Sequence, residues 1–254
     1  MHDSRATTGA GSTNVGSTPA GSTQVMTADH EAHNPALLHH FADAQQQKNA
    51  ASLGMWLFLV TEIMFFGGMF CAYLIYRLAH FNAFAAGSQQ LNIWMGGVNT
   101  AVLIVSSVTV VLAVKAAEAG KRKLLTGYLI VTVLLGMTFL VIKGFEYAEK
   151  FEKHHVPGPT FNFTEKFDDN GKQIPVNPKE AELFFSLYFA MTGMHALHMV
   201  IGCGLFTTLA VLAWKGHYTA NYFTPIENAG LYWHLVDIIW IYLFPLLYLI
   251  SRHT

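Results

Sequence analysis

The sequence predicts an all-α fold, a polytopic membrane helix bundle with five transmembrane helices. Of its 254 residues, 52% are hydrophobic and only 12% are charged, whereas charged residues make up about 25% of soluble domains. Five segments also reach the roughly 20 apolar residues that a helix needs to cross a bilayer. These segments are residues 53–78, 91–114, 124–145, 183–214 and 229–250.

The overall charge excludes one broad class of function. The formal net charge is -1 and the sequence pI is near 6.9. A protein that binds nucleic acid usually carries a strongly basic surface. The sequence therefore predicts no nucleic-acid partner.

The short loops between the five segments predict the orientation. The second loop contains Lys115, Lys121, Arg122 and Lys123, and the fourth contains Lys215. Both loops fall on the same side of an alternating five-span path, and short loops rich in Lys and Arg stay in the cytoplasm. The prediction is a cytoplasmic N-terminus and a periplasmic C-terminus.

The residues before the first span divide into two parts. Residues 1–30 contain Gly-Ser-Thr repeats, a composition that predicts a disordered tail. Residues 31–51 place Leu37, Leu38 and Phe41 on one helical face, which is typical of an amphipathic interfacial segment. The five-helix domain is then expected to cover residues 52–254, with an extramembrane loop at about 147–182.

Ionisable side chains near or inside the spans are the candidate functional residues, because such groups are costly in a bilayer. They are Glu62 in the first span, Glu146 just after the third, His195 and His198 in the fourth, and Glu227, His234 and Asp237 beside and within the fifth. The spacing puts the two histidines on one helix face and the last three residues on one stripe. A low dielectric favours the neutral form of an isolated acid, so Glu62 is expected to be a protonated hydrogen-bond donor.

These residues permit several interpretations. The first is a structural network in which carboxylic acids and imidazoles pair between helices. The second is a metal centre like the carboxylate sites of four-helix bundles, although the Glu-x-x-His motif of such sites is missing. The third is an ion or proton path through Glu62. Such a path would need a second carboxylate in mid-span to receive the proton, and the sequence has none. Contacts with lipid headgroups or partner chains are a fourth.

Four blocks of the sequence carry a specific resemblance. They are GMWLFLVTEIMFFGGMFCAYLIYR, IKGFEYAEK, FFSLYFAMTGMHALHMVIGCGLF and ENAGLYWHLVDIIWIYLFPLLY. In this order they resemble subunit III of heme-copper terminal oxidases, the cytochrome c oxidase subunit III family. The best-known members have seven spans divided by a lipid-filled cleft. This chain is similar to the short bacterial form, which keeps the five-helix part.

The resemblance implies a non-catalytic subunit of a proton-pumping respiratory complex in the bacterial inner membrane. Hemes and copper would lie in partner subunits, and this chain would bind no metal or cofactor other than phospholipid. It would pack on subunit I, beside subunit II and a small subunit IV, and would support proton uptake and active-site stability. A larger respiratory supercomplex is a further candidate partner.

The resemblance also implies roles for individual residues. Glu62 matches the buried glutamate of the family, and His198 is its preferred partner. Lys215 lies where a lipid phosphate could be bound from the cytoplasmic side. The remaining candidates match positions of an internal network and cleft lining: Glu146, His195, Glu227, His234 and Asp237.

Two alternatives belong to other classes. One is a subunit-III-like component of a quinol oxidase or a nitric oxide reductase. The other is a free-standing ion transporter, which is expected to have broken helices near the bilayer midplane. No proline interrupts the first four spans, and Pro245 lies near the end of the fifth. This pattern disfavours the transporter.

Overall fold

The computed structural model describes residues 44–152, 156–158, 177–219 and 222–250. They form six helices, α1 (Ala44–Ala79), α2 (Phe81–Gln89), α3 (Ile93–Glu118), α4 (Arg122–Glu152), α5 (Pro178–Lys215) and α6 (Thr224–Tyr248). All except α2 are long and apolar enough to cross a membrane. Apart from one isolated bridge between Thr219 and Tyr222, these residues contain no strand pairing. The predicted all-helical fold with five candidate spans is confirmed.

Some sequence predictions fall outside the described residues. The tail at 1–30 and residues 31–43 of the interfacial segment belong to this group, while residues 44–51 form the first turns of α1. Of the loop expected at about 147–182, residues 147–152 continue α4 and residues 178–182 begin α5. Both helices are therefore longer than their apolar segments alone indicate.

Four helices form a closed ring in which α3 packs on α4, α4 on α5, α5 on α6, and α6 on α3. Helix α1 lies outside this ring and packs mainly on α6, with smaller contacts to α5 and α2. Its apolar residues are widely exposed, among them Leu57 at 67% and Met64 at 73%. The interior of the ring is consequently the most protected part of the molecule.

Helix α2 lies in the first loop between the five predicted spans. It is too short to cross a bilayer, so the length criterion for spans does not detect it. Phe84 in α2 is fully buried, with its ring centroid 5.3 Å from Tyr73 and 5.4 Å from Phe184. A Cβ at Gly87 would lie 2.3 Å from the Phe184 ring, so the close approach of α2 to α5 requires glycine here.

The ends of α3 and α5 follow from local sequence. The Asn92 side chain accepts hydrogen bonds from the backbone amides of Trp94 and Met95 and caps α3, as short polar side chains commonly do. Gly216 ends α5 in the left-handed conformation at φ 84°, which favours glycine. Arg122 at the start of α4 donates its Nε–H to the carbonyl oxygen of Ala213 at 3.0 Å, so the two helix ends are tied together.

Trp233 of α6 is fully buried in the centre of the ring. Its indole donates to Ser106 Oγ of α3 at 3.0 Å, and its rings lie 4.8 Å from the Phe206 ring of α5. A Cβ at Gly136 of α4 would lie 2.8 Å from Trp233 Cη2, and one at Gly202 of α5 would lie 2.9 Å from Cζ3. Small residues on two helices thus make the space for one large side chain, as helix packing in membranes favours.

Candidate functional site

Glu62 connects α1 to the ring. Its Oε2 lies 3.1 Å from Nε2 of His198 on α5, and the two side chains are 18% and 11% exposed. The His198 ring also packs edge-on against Phe66 at 5.3 Å, and the His198 carbonyl oxygen accepts from the Tyr232 hydroxyl at 2.9 Å. The contact between Glu62 and His198 that the sequence analysis preferred is therefore present.

The other nitrogen of His198 limits how this pair can share its proton. Nδ1 lies 2.8 Å from the carbonyl oxygen of Met194, and a carbonyl can only accept, so Nδ1 carries a hydrogen. Nε2 then either accepts from a protonated Glu62 or, in an imidazolium, donates to a Glu62 carboxylate. In both cases one proton lies between the two side chains.

Glu146 lies in a second, more deeply buried cluster. Its Oε1 accepts from the Tyr248 hydroxyl at 2.6 Å and the Tyr188 hydroxyl at 3.0 Å, and its Oε2 accepts from Lys143 Nζ at 2.9 Å. Lys143 Nζ also donates to Tyr248 Oη at 2.7 Å. The Lys143 and Glu146 side chains are 4% and 0% exposed. We call these four residues the α4 cluster.

Aromatic rings surround the ammonium of the α4 cluster. Nζ of Lys143 lies 4.8 Å from the centroid of Trp240 and 5.4 Å from those of Tyr188 and Tyr248. Cation–π attraction is strongest when the cation is shielded from water. The charge is thus stabilised by a carboxylate on one side and by ring faces on the others.

The stripe predicted on α6 is divided among three environments. Glu227 in the first turn pairs with Lys48 of α1 at 3.5 Å. Nδ1 of His234 lies 2.7 Å from Ser107 Oγ of α3. Asp237 is only 3% exposed, and neither of its oxygens has a hydrogen-bond partner among the described side chains and backbone.

His195 lies on the same face of α5 as His198, but it makes no hydrogen bond to Glu62. It is fully buried, and neither ring nitrogen meets a hydrogen-bond partner within the described residues. Its ring centroid lies 5.4 Å from Phe139 and 5.2 Å from Trp240. His195 is therefore packed among aromatic rings.

Three grooves between helices are lined by the described residues. The α1–α3–α6 groove, of about 440 Å³, has charged and polar residues in its wall, including Lys48, Lys115, Glu118, Glu227 and His234. The α1–α5–α6 groove, of about 330 Å³, is lined mainly by apolar residues such as Phe58, Ile201 and Leu205. The α4–α5 groove, also about 330 Å³, includes Ile130, Val133 and Trp214, and Lys215 follows Trp214 as an exposed residue in the last turn of α5.

Sequence reasoning missed several members of these contacts. The α4 cluster includes Lys143, Tyr188 and Tyr248, and lysine and tyrosine commonly lie near membrane interfaces. These three residues are far apart in the sequence, so the sequence does not show that they are in contact. One signal was available: Lys143 and Glu146 are three residues apart, so they share a helix face. Lys150, which is buried and donates to the carbonyl oxygen of Gln90, had no comparable signal.

The fold and these contacts define a class, a multi-pass membrane protein with paired polar side chains in its interior. Among the described residues, no group of three or more His, Cys, Asp or Glu side chains is placed to hold a metal ion.

Comparison with known proteins specifies the family. A family model described as cytochrome c oxidase subunit III matches residues 36–167 and 180–252. A protein of Corynebacterium diphtheriae named cytochrome c oxidase subunit 3 is 32% identical over 82% of this chain and 92% of its own length. The protein of the same name from Synechocystis sp. is 34% identical over 78% of this chain and 74% of its own length. The one from Thermostichus vulcanus is 30% identical over 82% of this chain and 92% of its own length. The chain belongs to the cytochrome c oxidase subunit III family.

Membership places the chain in a cytochrome c oxidase complex, as subunit III of a heme-copper oxidase. The five apolar helices agree with a multi-pass location in a membrane. The resemblance noted in the sequence is thus confirmed.

Proposed function

We propose that this chain is a non-catalytic subunit that packs on the catalytic subunit I of its oxidase and stabilises it, in a bacterial inner membrane. Subunit II and a small subunit IV are the further partners proposed for the same complex. The family membership carries this proposal. It is supported by an interior whose polar groups largely bond one another, with Glu62 to His198 and Glu146 to Lys143. Such pairing gives rigidity.

The proposed orientation follows from the ends of the helices. Lys115 lies in the last turn of α3 and Lys215 in the last turn of α5, and Arg122 starts α4 beside the end of α5. Basic residues are therefore gathered at one end of the bundle, which we assign to the cytoplasm. Helix α1 begins at this same end, with Lys48 paired to Glu227.

Phospholipid binding is the second part of the proposal. Acyl chains fit the apolar walls of the α4–α5 groove and the α1–α5–α6 groove, whose lining was described above. Trp214 lines the α4–α5 groove, and Lys215 is the next residue of α5. In the proposed complex the Lys215 ammonium binds the lipid phosphate while the acyl chain lies along Ile130 and Val133.

One purification tests both parts. The chain, tagged and extracted in a mild detergent, is expected to bring with it a heme- and copper-containing chain, together with phospholipid visible by native mass spectrometry. Copper in a second partner would indicate cytochrome c as electron donor rather than quinol. Recovery of the chain alone, uniform and stable, would contradict the proposal and favour an ion transporter. Recovery of the complex without lipid would contradict only the lipid part.

The pair of Glu62 and His198 gives a specific prediction. Glu62→Gln is expected to preserve assembly and most oxidase turnover, because the amide can donate to Nε2 of His198 as a protonated acid does. Glu62→Leu removes the donor and is expected to lower retention of the chain on the complex. The measurements are subunit stoichiometry and oxygen consumption of the purified complex. Outright loss of proton pumping in Glu62→Gln would show that the structural role is wrong.

A further inference from the structure

Asp237 of α6 and Asn99 of α3 are buried polar side chains with unmet hydrogen-bonding capacity. Asp237 is 3% exposed and Asn99 is fully buried. Neither the carboxyl oxygens of Asp237 nor the amide atoms of Asn99 have a partner among the described residues. An unmet buried group destabilises the fold, and internal water is the usual means by which proteins satisfy such groups.

A polar route leads to Asp237 from the surface. His234 is part of the wall of the α1–α3–α6 groove, together with Lys48, Lys115 and Glu227. Its Nδ1 lies 2.7 Å from Ser107 Oγ of α3, which places a hydroxyl beside this part of α6. His234 and Asp237 are three residues apart on α6, so Asp237 lies on the same face one turn further along the helix.

We propose that Asp237 is a proton-binding site that exchanges its proton with water in the α1–α3–α6 groove through His234 and Ser107. Water in the groove protonates Nε2 of His234, and the proton on Nδ1 passes to Ser107 Oγ. Ser107 releases its own hydroxyl proton to an internal water beside Asp237, and that water protonates the carboxylate. One proton moves and no other bond changes, apart from the tautomer of His234.

The route ends at Asp237. The next residue on this face of α6 is Trp240, whose Nε1–H is donated to Thr100 Oγ1 at 3.1 Å. An indole has a donor but no acceptor nitrogen, so it cannot relay a proton. Beyond it, Phe139 packs on Trp240 with ring centroids 4.8 Å apart. The site therefore stores one proton and returns it to the same groove, and it is not a channel across the membrane.

This inference goes beyond the proposed function, since a stabilising subunit needs no exchangeable proton. It also assigns different contents to two of the grooves. The α1–α3–α6 groove carries charged residues of both signs near His234, which favours water. The α4–α5 groove is lined by apolar side chains and threonines, which favours an acyl chain.

Infrared spectroscopy of the tagged chain, purified with the subunits it carries, tests the proposal. We expect a carbonyl-stretch band of a protonated carboxylic acid that is lost in Asp237→Asn and shifts to lower frequency on transfer to D2O. Ser107→Ala and His234→Phe should slow this shift by roughly a hundredfold, the lower end of what a positioned proton-transfer group contributes. Glu62→Gln is the matched control, because it removes a different buried acid and should leave the shift rate unchanged.

Three results would overturn the proposal. The first is an Asp237→Asn spectrum with no band lost, which would show an ionised Asp237. The second is a band that does not shift in D2O, which would mean that a lipid or a dry interior closes the groove. The third is an unchanged shift rate in Ser107→Ala, which is the less disruptive of the two relay variants. The heme spectrum of the same sample reports on the proposed function separately.

Discussion

Replacing Glu146 with leucine is expected to destabilise the chain by about 3–5 kcal/mol, the usual cost of removing one partner of a buried ion pair. The substitution leaves the Lys143 ammonium buried with no carboxylate, since Oε2 of Glu146 lies 2.9 Å from Nζ. It also removes the acceptor of the Tyr188 and Tyr248 hydroxyls. The measurement is the midpoint temperature at which the chain dissociates from the purified complex.

Two further variants separate charge from volume. Lys143→Met combined with Glu146→Leu should recover more than half of the lost stability, because an apolar pair of similar size needs no counter-charge. Glu152→Leu changes an exposed acid in the last turn of the same helix, and it should have almost no effect. If Glu146→Leu were as harmless as Glu152→Leu, the α4 cluster would have no part in stability.

Replacing Trp233 with alanine is expected to cost about 3–5 kcal/mol, the usual range for deleting a buried aromatic side chain. Trp233 meets the other three helices of the ring through Ser106, Gly136 and Phe206. Its removal opens a cavity that the rigid helices can only partly close, and it leaves the Ser106 hydroxyl without this donor. The same dissociation midpoint measures the effect.

Chemical rescue provides the control for Trp233. Indole added to the Trp233→Ala complex should raise the midpoint, because it fills an apolar cavity of matching shape and can donate to Ser106. Trp233→Phe keeps most of the volume but not the N–H, so its loss should be smaller. A midpoint that indole leaves unchanged would show that the helices collapse into the space instead.

Much of the fold could be predicted from the sequence because the bilayer imposes a length on each apolar segment. Composition could not locate the helix ends. The last turns of α4 contain Lys143, Glu146 and Lys150, which a hydropathy search treats as a boundary, yet all three are buried. Helix α2 was missed because its burial depends on tertiary contacts such as that of Phe84 with Phe184.

The ionisable candidate residues can be identified from sequence because charged side chains are rare in membrane helices. Their hydrogen-bond partners on other helices are harder to predict. The contact of Glu62 with His198 followed from a family resemblance. Small residues in the sequence predict close helix packing at some positions only. A Cβ at Gly202 would contact Trp233, whereas a Cβ at Gly67 or Gly68 would have no neighbouring atom of another helix within 4 Å. Only the packing of one helix on another distinguishes these cases.

The arrangement of the α4 cluster has a consequence for the biogenesis of the chain. Glu146 precedes Tyr188 by 42 residues and Tyr248 by 102, so α4 leaves the ribosome long before its final partners exist. Lys143 and Glu146 are only three residues apart, and they can neutralise each other within their own helix at once. The pair of Lys143 and Glu146 can therefore enter the bilayer nearly neutral, and the later arrival of Tyr248 with α6 completes the cluster.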